Sequence, residues 1–549
     1  MANIFDTIFS PRLKRDNYDL SHDVKLTCDF GKLVPFLCEE TVPNDTWYLK
    51  SDVLLRMAAL IAPIYHNVYV TTHYFYVPFR IIWDEYETFE TGGKDGRTVP
   101  TFPRLPLLGS AKSDASYRDT DKLFAHGSLA DYLNYPTSEE NDSAGGMMVS
   151  ALAFRAYQMI YNEYYRDENL EPELEFGLGS GVINPTDADF KTLLTLRNRA
   201  WMKDYFTSAL PWPQKGATQY IPNNTTGKVN SPNLRLKNLT SPSSVIGTSG
   251  SGSGTLSKAS GDRNPILVDG FEGGDNIIID NTNNLELADD GVTIKGTSFT
   301  VADLRNAIAA QHWLEVRARG GNRYKETIYS LFGKTLDDGR IMRPEFLGGG
   351  VNPLQVNDVV QTSQTTSSSP QGQYAGLGYS FGSSNGFKRS FPERGYIIGI
   401  MSVMPSPGYV EGLPRMYRKF DPKEFFIPQF QELGEQQIYN YEVSLRQGAD
   451  KLGEFGYTPR YAEYKYIPSR VHGDFKDMKS YGYWTLNRHY SNAPTLNKEF
   501  IECDADKNDL NRIFAVTDPA VPKMLVQIHN TVKARRPMKK FAEPGITKI

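Results

Sequence analysis

The sequence predicts a mainly β protein, a β-sandwich of short strands carrying large inserted loops and a few helices. The chain has 549 residues with 46 Gly, 33 Pro and 32 Tyr, which supplies turn formers and rings but few long helical stretches. Short apolar or alternating runs stand between turn residues, most clearly at 68–77 and 395–404. Long Gly-, Ser- and Asp-rich stretches separate these runs, as in one sandwich whose loops have grown. The jelly roll is the commonest solution of that type, although pattern alone does not separate it from other β-sandwiches.

Residues 1–20 are polar and mixed in charge and read as an extended arm. From 23 to 42, short apolar runs broken by Gly31 and Pro35 read as successive strands. Residues 51–61 place Val53, Leu54, Met57, Leu60 and Ile61 at helical spacing, ended by Pro63. Residues 68–77 are the strongest strand. Val68, Val70, Tyr74 and Tyr76 face one side and Tyr69, His73, Phe75 and Val77 the other, so both faces are fit for burial. Residues 84–146 read as a decorated loop, and 147–165 as a helix with Met148, Leu152, Ala156, Met159 and Ile160 on one face. Between 217 and 300 the composition changes. A Ser/Gly-rich stretch is followed by strand-like runs at 277–279, 285–287 and 292–294. Helix returns at 300–316, where Thr300 is placed to cap and Asp303 to answer it. Residues 351–390 are again Ser-, Gly- and Gln-rich, 395–404 is a continuous apolar strand closed by Pro405, and the remainder alternates short strands with Tyr- and Pro-rich loops.

Composition narrows the function. A net charge of −4 argues against a chain-wide basic nucleic-acid binder and leaves local patches open. Three cysteines, Cys28, Cys38 and Cys503, do not make a disulfide framework and suit a reducing compartment. No signal-peptide layout and no apolar run of about 20 residues is present, so no membrane span is expected.

Motifs that resemble catalytic sites fail on their surroundings. Gly333-Lys334-Thr335 ends like a phosphate loop, but Ile328 stands where a glycine must let the chain curl. Gly177, Gly179 and Gly181 lack dinucleotide spacing. Gly382-Ser383-Ser384-Asn385-Gly386 fits G-x-S-x-G literally, without the strand and helix that expose a nucleophile. His66 and His73 fall on opposite faces of a continuous strand, His472 beside Asp474 reads as a loop histidine, and Glu39-Glu40 and Asp337-Asp338 read as solvated. No catalytic residue, metal site or cofactor is expected.

Two features remain. Lys533, Arg535, Arg536, Lys539, Lys540 and Lys548 cluster near the end of the chain around Phe541, and Arg12, Lys14 and Arg15 form a smaller group near its start. Cations with an interleaved ring suit single-stranded DNA; a solubilising tail is the competing reading. The run 204–216 holds Tyr205, Phe206 and Trp212, with Trp212 between Pro211 and Pro213, so it reads as a stiff arm presenting rings. Tyr461, Tyr464, Tyr466, Tyr481, Tyr483 and Trp484 crowd a second region beside Arg460, Arg470 and Arg488. Such rings serve either a core or a subunit interface.

Asp204 through Gly216, DYFTSALPWPQKG, closely resembles a signature of microvirus major capsid proteins, in particular the gokushovirus-like group. Gln311 through Tyr324, Arg343 through Gly349, Gly434-Glu435-Gln436, Phe455-Gly456-Tyr457 and Tyr461 through Tyr466 are similar to further family blocks, as are Gly31 through Pro35 and Tyr74 through Pro78. Asn322, Phe346, Pro459 and Lys465 depart from the expected Thr, Tyr, Glu and Arg, which bears on the subgroup. The resemblance covers 10–216 and 301–545. It implies an eight-stranded jelly roll and a non-enzymatic shell protein, present as a sixty-copy homo-oligomer in a T=1 icosahedral capsid around circular single-stranded DNA. A minor DNA pilot protein, an internal scaffolding protein and a host cell-surface receptor are the implied partners, with assembly in the bacterial cytoplasm. Within that frame 1–20 is an N-terminal arm, 21–216 and 301–532 are the two parts of the capsid core, and 217–300 is a variable insertion. That insertion is expected as an outward protrusion at the threefold axis, or else as a plain spacer. Residues 533–549 are a basic C-terminal tail. Tyr205, Phe206, Trp212, Pro213, Tyr461, Tyr464, Arg470 and Trp484 are the expected interface residues. The alternative function is a carbohydrate-binding or carbohydrate-processing β-sandwich.

Overall fold

The computed structural model describes residues 14–109, 117–139, 146–217, 301–362, 365, 371–448 and 450–541, and the backbone of short strands between 236 and 287. Its frame consists of β1 His22–Cys28, β2 Val34–Thr41, β3 Asp45–Met57, β4 Val68–Pro78, β5 Glu345–Pro353, β6 Tyr374–Ser383, β7 Gly395–Pro405 and β8 Met524–Arg536. They form two antiparallel sheets, ordered β1-β8-β3-β6 and β2-β7-β4-β5. The chain changes sheet at every step except β4 to β5, which is the jelly-roll path. Asp16–Asp19 extends the first sheet beside β8, Phe387–Phe391 beside β3, and Gln355–Val360 beside β6.

Alternation makes the sandwich. On β3, Trp47, Leu49, Val53, Leu55 and Met57 point inward to meet Val70, Tyr74 and Tyr76 of β4, Ile397, Met401 and Val403 of β7, and Val526, Ile528 and Val532 of β8. Each such side chain contributes about 1.5–3 kcal/mol by leaving water. The helix expected at 51–61 is therefore corrected to the second half of β3 and the turn after it. The inward set runs at period two, and the buried Ser51 interrupts its apolar pattern. Ser51 Oγ donates to Asn530 Oδ1 at 2.6 Å, and the Ser384 hydroxyl lies 2.6 Å from the Tyr74 hydroxyl and donates to Ser51 O at 3.1 Å. These bonds satisfy the polar groups that the sandwich encloses.

The 351–390 stretch also holds strands that its composition conceals. A Cβ at Gly378 would sit 2.5 Å from Met57 Sδ, so glycine there lets β6 approach β3 closely. Gly382–Gly386 links β6 to Phe387–Phe391, strand to strand, and Ser384 is buried, so no nucleophile elbow forms. Gly333 is the left-handed C-cap of the helix Tyr324–Phe332 rather than part of a phosphate loop.

The other sheet is buried on both faces. Phe75 and Val77 of β4 and Ile398 and Ile400 of β7 pack outward against Leu152, Phe154, Tyr157 and Ile160 of the helix Leu152–Ile160, and against Phe79, Trp83, Phe190 and Leu193. The strand at 68–77 and the helix within 147–165 are thus as expected, except that the helix begins at Leu152 and widens into a π turn over Tyr161–Tyr165. Between β1 and β2, Gly31 (φ 77°) lies where a Cβ would fall 2.0 Å from Cys503 O. The glycine of the G-x-L-V-P block is a conformational requirement. Residues 216–314 form a compact unit of their own. It contains two three-stranded antiparallel sheets, Thr255–Lys258 with Ile266–Asp269 and Ile277–Ile279, and Leu285–Leu287 with Leu236–Asn238 and Val245–Ile246. The expected strand at 292–294 and the Thr300 cap lie outside the described residues; the helix itself is Val301–Arg319.

Strand β8 runs to Arg536, so residues 533–536 belong to the sheet and not to a tail. Arg536 turns inward. Its Nε lies 3.2 Å from Asp45 Oδ2, its guanidinium stands 5.1 Å from the Trp47 ring centroid, and it donates to Glu40 O at 3.0 Å. Asp45 is fully buried and also accepts from Trp47 Nε1 and Val42 N. Removing the guanidinium strands a buried carboxylate. Arg536→Ala is expected to cost about 3–5 kcal/mol in urea unfolding, whereas Arg535→Ala, on the outer face, changes stability by less than about 0.5 kcal/mol. Equal effects of the two substitutions would contradict this assignment.

Candidate assembly and genome-contact surfaces

The signature at 204–216 begins as a capped turn. Asp204 Oδ1 accepts from Phe206 N at 2.9 Å, Thr207 N at 2.7 Å and Thr207 Oγ1 at 2.9 Å, and its Oδ2 accepts from Tyr409 OH at 2.8 Å. This turn drives Tyr205 and Phe206 into a small core with Ile438, Val443, Phe455, Phe500 and Ile501. Tyr205 OH donates to Glu442 Oε2 at 3.0 Å. Leu210 and Tyr457 exchange backbone hydrogen bonds at 2.8 Å, joining the run to the strand Glu454–Pro459. Tyr205 and Phe206 are therefore packed within their own subunit, which corrects the expectation that they lock a neighbour. They fasten the long β7–β8 connection, 406–523, to the rest of the fold. Trp212 is half-buried and Pro213 exposed, and the buried Trp212 Nε1 has no acceptor among the described residues.

The second ring cluster divides in the same way. Tyr461 is buried, with its backbone in the left-handed region (φ 61°), and its N donates to Gln436 Oε1 at 3.0 Å. Arg488 is buried too. Its guanidinium stands 4.3 Å from the Phe500 centroid and 5.0 Å from that of Trp201, and it donates to Phe500 O, so it is a core residue and not a bridge between subunits. Tyr464, Tyr466 and Arg470 are exposed. Half-buried Trp484 stacks on the exposed Tyr65, centroids 5.6 Å apart.

Around Tyr464 lies an apolar cleft of about 510 Å³ whose lining includes Tyr409, Leu413, Phe425, Tyr466 and Ile467. Ionic bonds brace its floor. Arg415 lies 3.4 Å from Glu442 Oε1, and Lys419 Nζ lies 2.9 Å from Glu463 Oε1 and 4.0 Å from the Tyr464 centroid. Burial pushes the Glu442 carboxyl above the ordinary range, with Arg415 opposing. At Glu463 burial acts the same way, yet hydrogen bonds from Lys419 and Gln436 help to hold it below that range. Phe420, Ile467 and Tyr417 are 80%, 69% and 60% exposed, and Met416, Phe425 and Phe426 stand out beside them in the chain. So much apolar surface is unusual on a subunit that stays alone. The sequence reading missed this patch, although RMYRKFDPKEFF at 415–426 interleaves rings with charges outside any apolar period.

The two basic groups converge. Asp16 pairs with Arg536 and Asp19 with Lys533, Tyr18 OH donates to Met538 O at 3.0 Å, and Lys540 N donates to Asp16 Oδ2 at 2.9 Å. Lys14 and Arg15 thereby lie next to the end of β8. Lys533 and Arg535 point away from the core, Lys539 and Lys540 are exposed, and Phe541 is 83% exposed. Arg536 is committed to Asp45 and leaves this set. Arg12 and Lys548 lie outside the described residues. Among the described residues no group of His, Cys, Asp and Glu is arranged to hold a metal, and no helix is long and apolar enough to cross a membrane.

Comparison with known proteins agrees with this architecture. The family model described as "Capsid protein (F protein)" matches residues 7–546. Capsid protein VP1 of Chlamydia phage 1 is 32% identical over 100% of this chain and 98% of its own length. Capsid protein VP1 of Bdellovibrio phage phiMH2K is 33% identical over 98% and 97%, and that of Spiroplasma virus 4 is 27% identical over 98% and 96%. A jelly roll whose long insertions carry their own cores, matched to one capsid family along nearly its whole length, leaves one assignment: the chain belongs to the microvirus F-type capsid protein family and is a structural, non-enzymatic protein of the virion.

Proposed function

We propose that sixty copies of this chain close a T=1 icosahedral shell around circular single-stranded DNA. Assembly would take place in the bacterial cytoplasm, with a DNA pilot protein and an internal scaffolding protein as partners. The observation that carries this reading is the exposed apolar patch at 416–426 and 464–467, beside a cleft already braced by Arg415 and Lys419. Obligate interfaces bury about 2,000 Å² or more and are apolar at their centres, and this patch has that chemistry. Trp212, whose indole N–H has no acceptor among the described residues, Pro213, Tyr464, Arg470 and Trp484 remain the interface candidates from the ring clusters. Lys14, Arg15, Lys533, Arg535, Lys539, Lys540 and Phe541 form the DNA-contact group, now one patch built from both chain ends.

Phe420→Asp combined with Ile467→Asp should lower shell yield at least tenfold in negative-stain counts while leaving subunit stability within about 0.5 kcal/mol, since both side chains are exposed. Trp212→Ala should act in the same direction, with a smaller loss. Normal yields from both variants would remove this surface from the interface.

The unit 216–314 is read as the host-facing projection. Loop closure grows only logarithmically, about 0.6 kcal/mol per doubling of length, so the fold tolerates it cheaply. Replacing 241–296 with a short Gly/Ser link should leave shells intact and abolish attachment to host cells. Variant particles that attach and infect at the normal rate would reduce the insertion to a spacer.

A further inference from the structure

Among the described residues, the jelly roll leaves one broad face open. The β2-β7-β4-β5 sheet is covered on its outer side by the chain's own insertion, whereas Leu525, Leu377 and Phe381 on the outer side of β1-β8-β3-β6 are 53%, 46% and 74% exposed. At the β8 C-terminal end of this open face the register places three strands side by side around one ring. Tyr48 of β3 is the direct partner of Lys533 on β8 and of Lys388 on the strand Phe387–Phe391. Direct partners in an antiparallel pair hold their Cβ atoms about 5 Å apart, on the same face. Tyr48 is 41% exposed, and Lys388 and Lys533 are exposed. Lys50 follows two residues along β3, and Arg535 follows two residues along β8.

The acids nearby are partly occupied. Asp19, partner of Lys533, accepts from Ser21 N and Ser21 Oγ, and Asp52 lies 3.9 Å from Lys50. No ion pair involves Lys388, Lys533 or Arg535 among the described residues. A half-exposed ring on the outer face of a sheet, with a lysine directly opposite it on each neighbouring strand, has the composition of a single-strand site. The ring stacks a base of any kind, and the cations take phosphates on both sides. The sequence places Tyr48, Lys388 and Lys533 more than a hundred positions from one another, so only the fold assembles them.

We propose that Tyr48, flanked by Lys388 and Lys533, is a base-stacking platform for single-stranded nucleic acid, and that the open β1-β8-β3-β6 face is the inner wall of the shell. This rests on the single-stranded-DNA reading above and adds to it residues far from the chain ends. The test uses the full-length subunit and a fluorescently labelled oligothymidylate, read by anisotropy across a salt series. Tyr48→Ala should weaken binding about 10- to 100-fold, and Tyr48→Phe should bind like the wild type. Lys388→Gln and Lys533→Gln should each lower the slope of log affinity against log salt by about 0.7. Wild-type affinity in Tyr48→Ala together with unchanged slopes in both lysine variants would overturn the platform. The nucleic-acid content of purified wild-type particles separates the two claims. Particles full of single-stranded DNA with indifferent Tyr48 variants sink the platform alone, and particles holding no single-stranded DNA sink the genome reading and the platform with it.

Discussion

Strands β4 and β7 are paired along their whole length, from Gly395 opposite Pro78 to Pro405 opposite Val68, and both faces of that ladder are apolar. A sheet of this kind has to be covered twice. Tyr74, Tyr76, Met401 and Val403 need the opposing sheet, and Phe75, Val77, Ile398 and Ile400 need the helix Leu152–Ile160 and its surroundings. The long β4–β5 connection is therefore partly structural, because without its first part the sandwich would expose a second apolar face. The same requirement leaves the β1-β8-β3-β6 sheet with a single core-facing side, and its other side is free to carry charge.

The long β7–β8 connection is held by a different device. Asp204 caps a turn that delivers Tyr205 to Glu442 and Phe206 to Tyr409, and Arg488 fills an aromatic cage with Phe500 and Trp201. These contacts are intramolecular. The most characteristic segment of the sequence thus serves the integrity of the subunit, and it holds the exposed patch around Phe420 and Tyr464 on a braced base. The surface proposed for assembly is the less distinctive one beside it.

How much of this was legible in the sequence depended on whether a pattern was local. The strand at 68–77 and that at 395–404 were readable because both of their faces are apolar. The second half of β3 was misread because Ser51, whose inward position is satisfied by Asn530, breaks the period-two signal while Val53, Leu54 and Met57 mimic a helical one. Strand β6 was hidden by Gly376, Gly378 and Gly382, which are there to admit its neighbours. Family resemblance supplied the shell reading but not the fate of individual residues. Tyr205, Tyr461 and Arg488 looked like interface groups and are core groups, and Arg536 looked like a phosphate contact and is pinned on Asp45. Tyr48 comes to lie between Lys388 and Lys533 only through sheet register, which no spacing in the chain displays.

The proposed platform requires the open face of the sandwich to be turned toward the genome. Labelling intact and opened particles with a bulky lysine-directed reagent, followed by peptide mass spectrometry, tests that most directly. Lys388 and Lys533 should be protected in intact particles and react once the particles are opened. Equal labelling of Lys388 and Lys533 in intact and opened particles would place the open face on the outside and contradict the account.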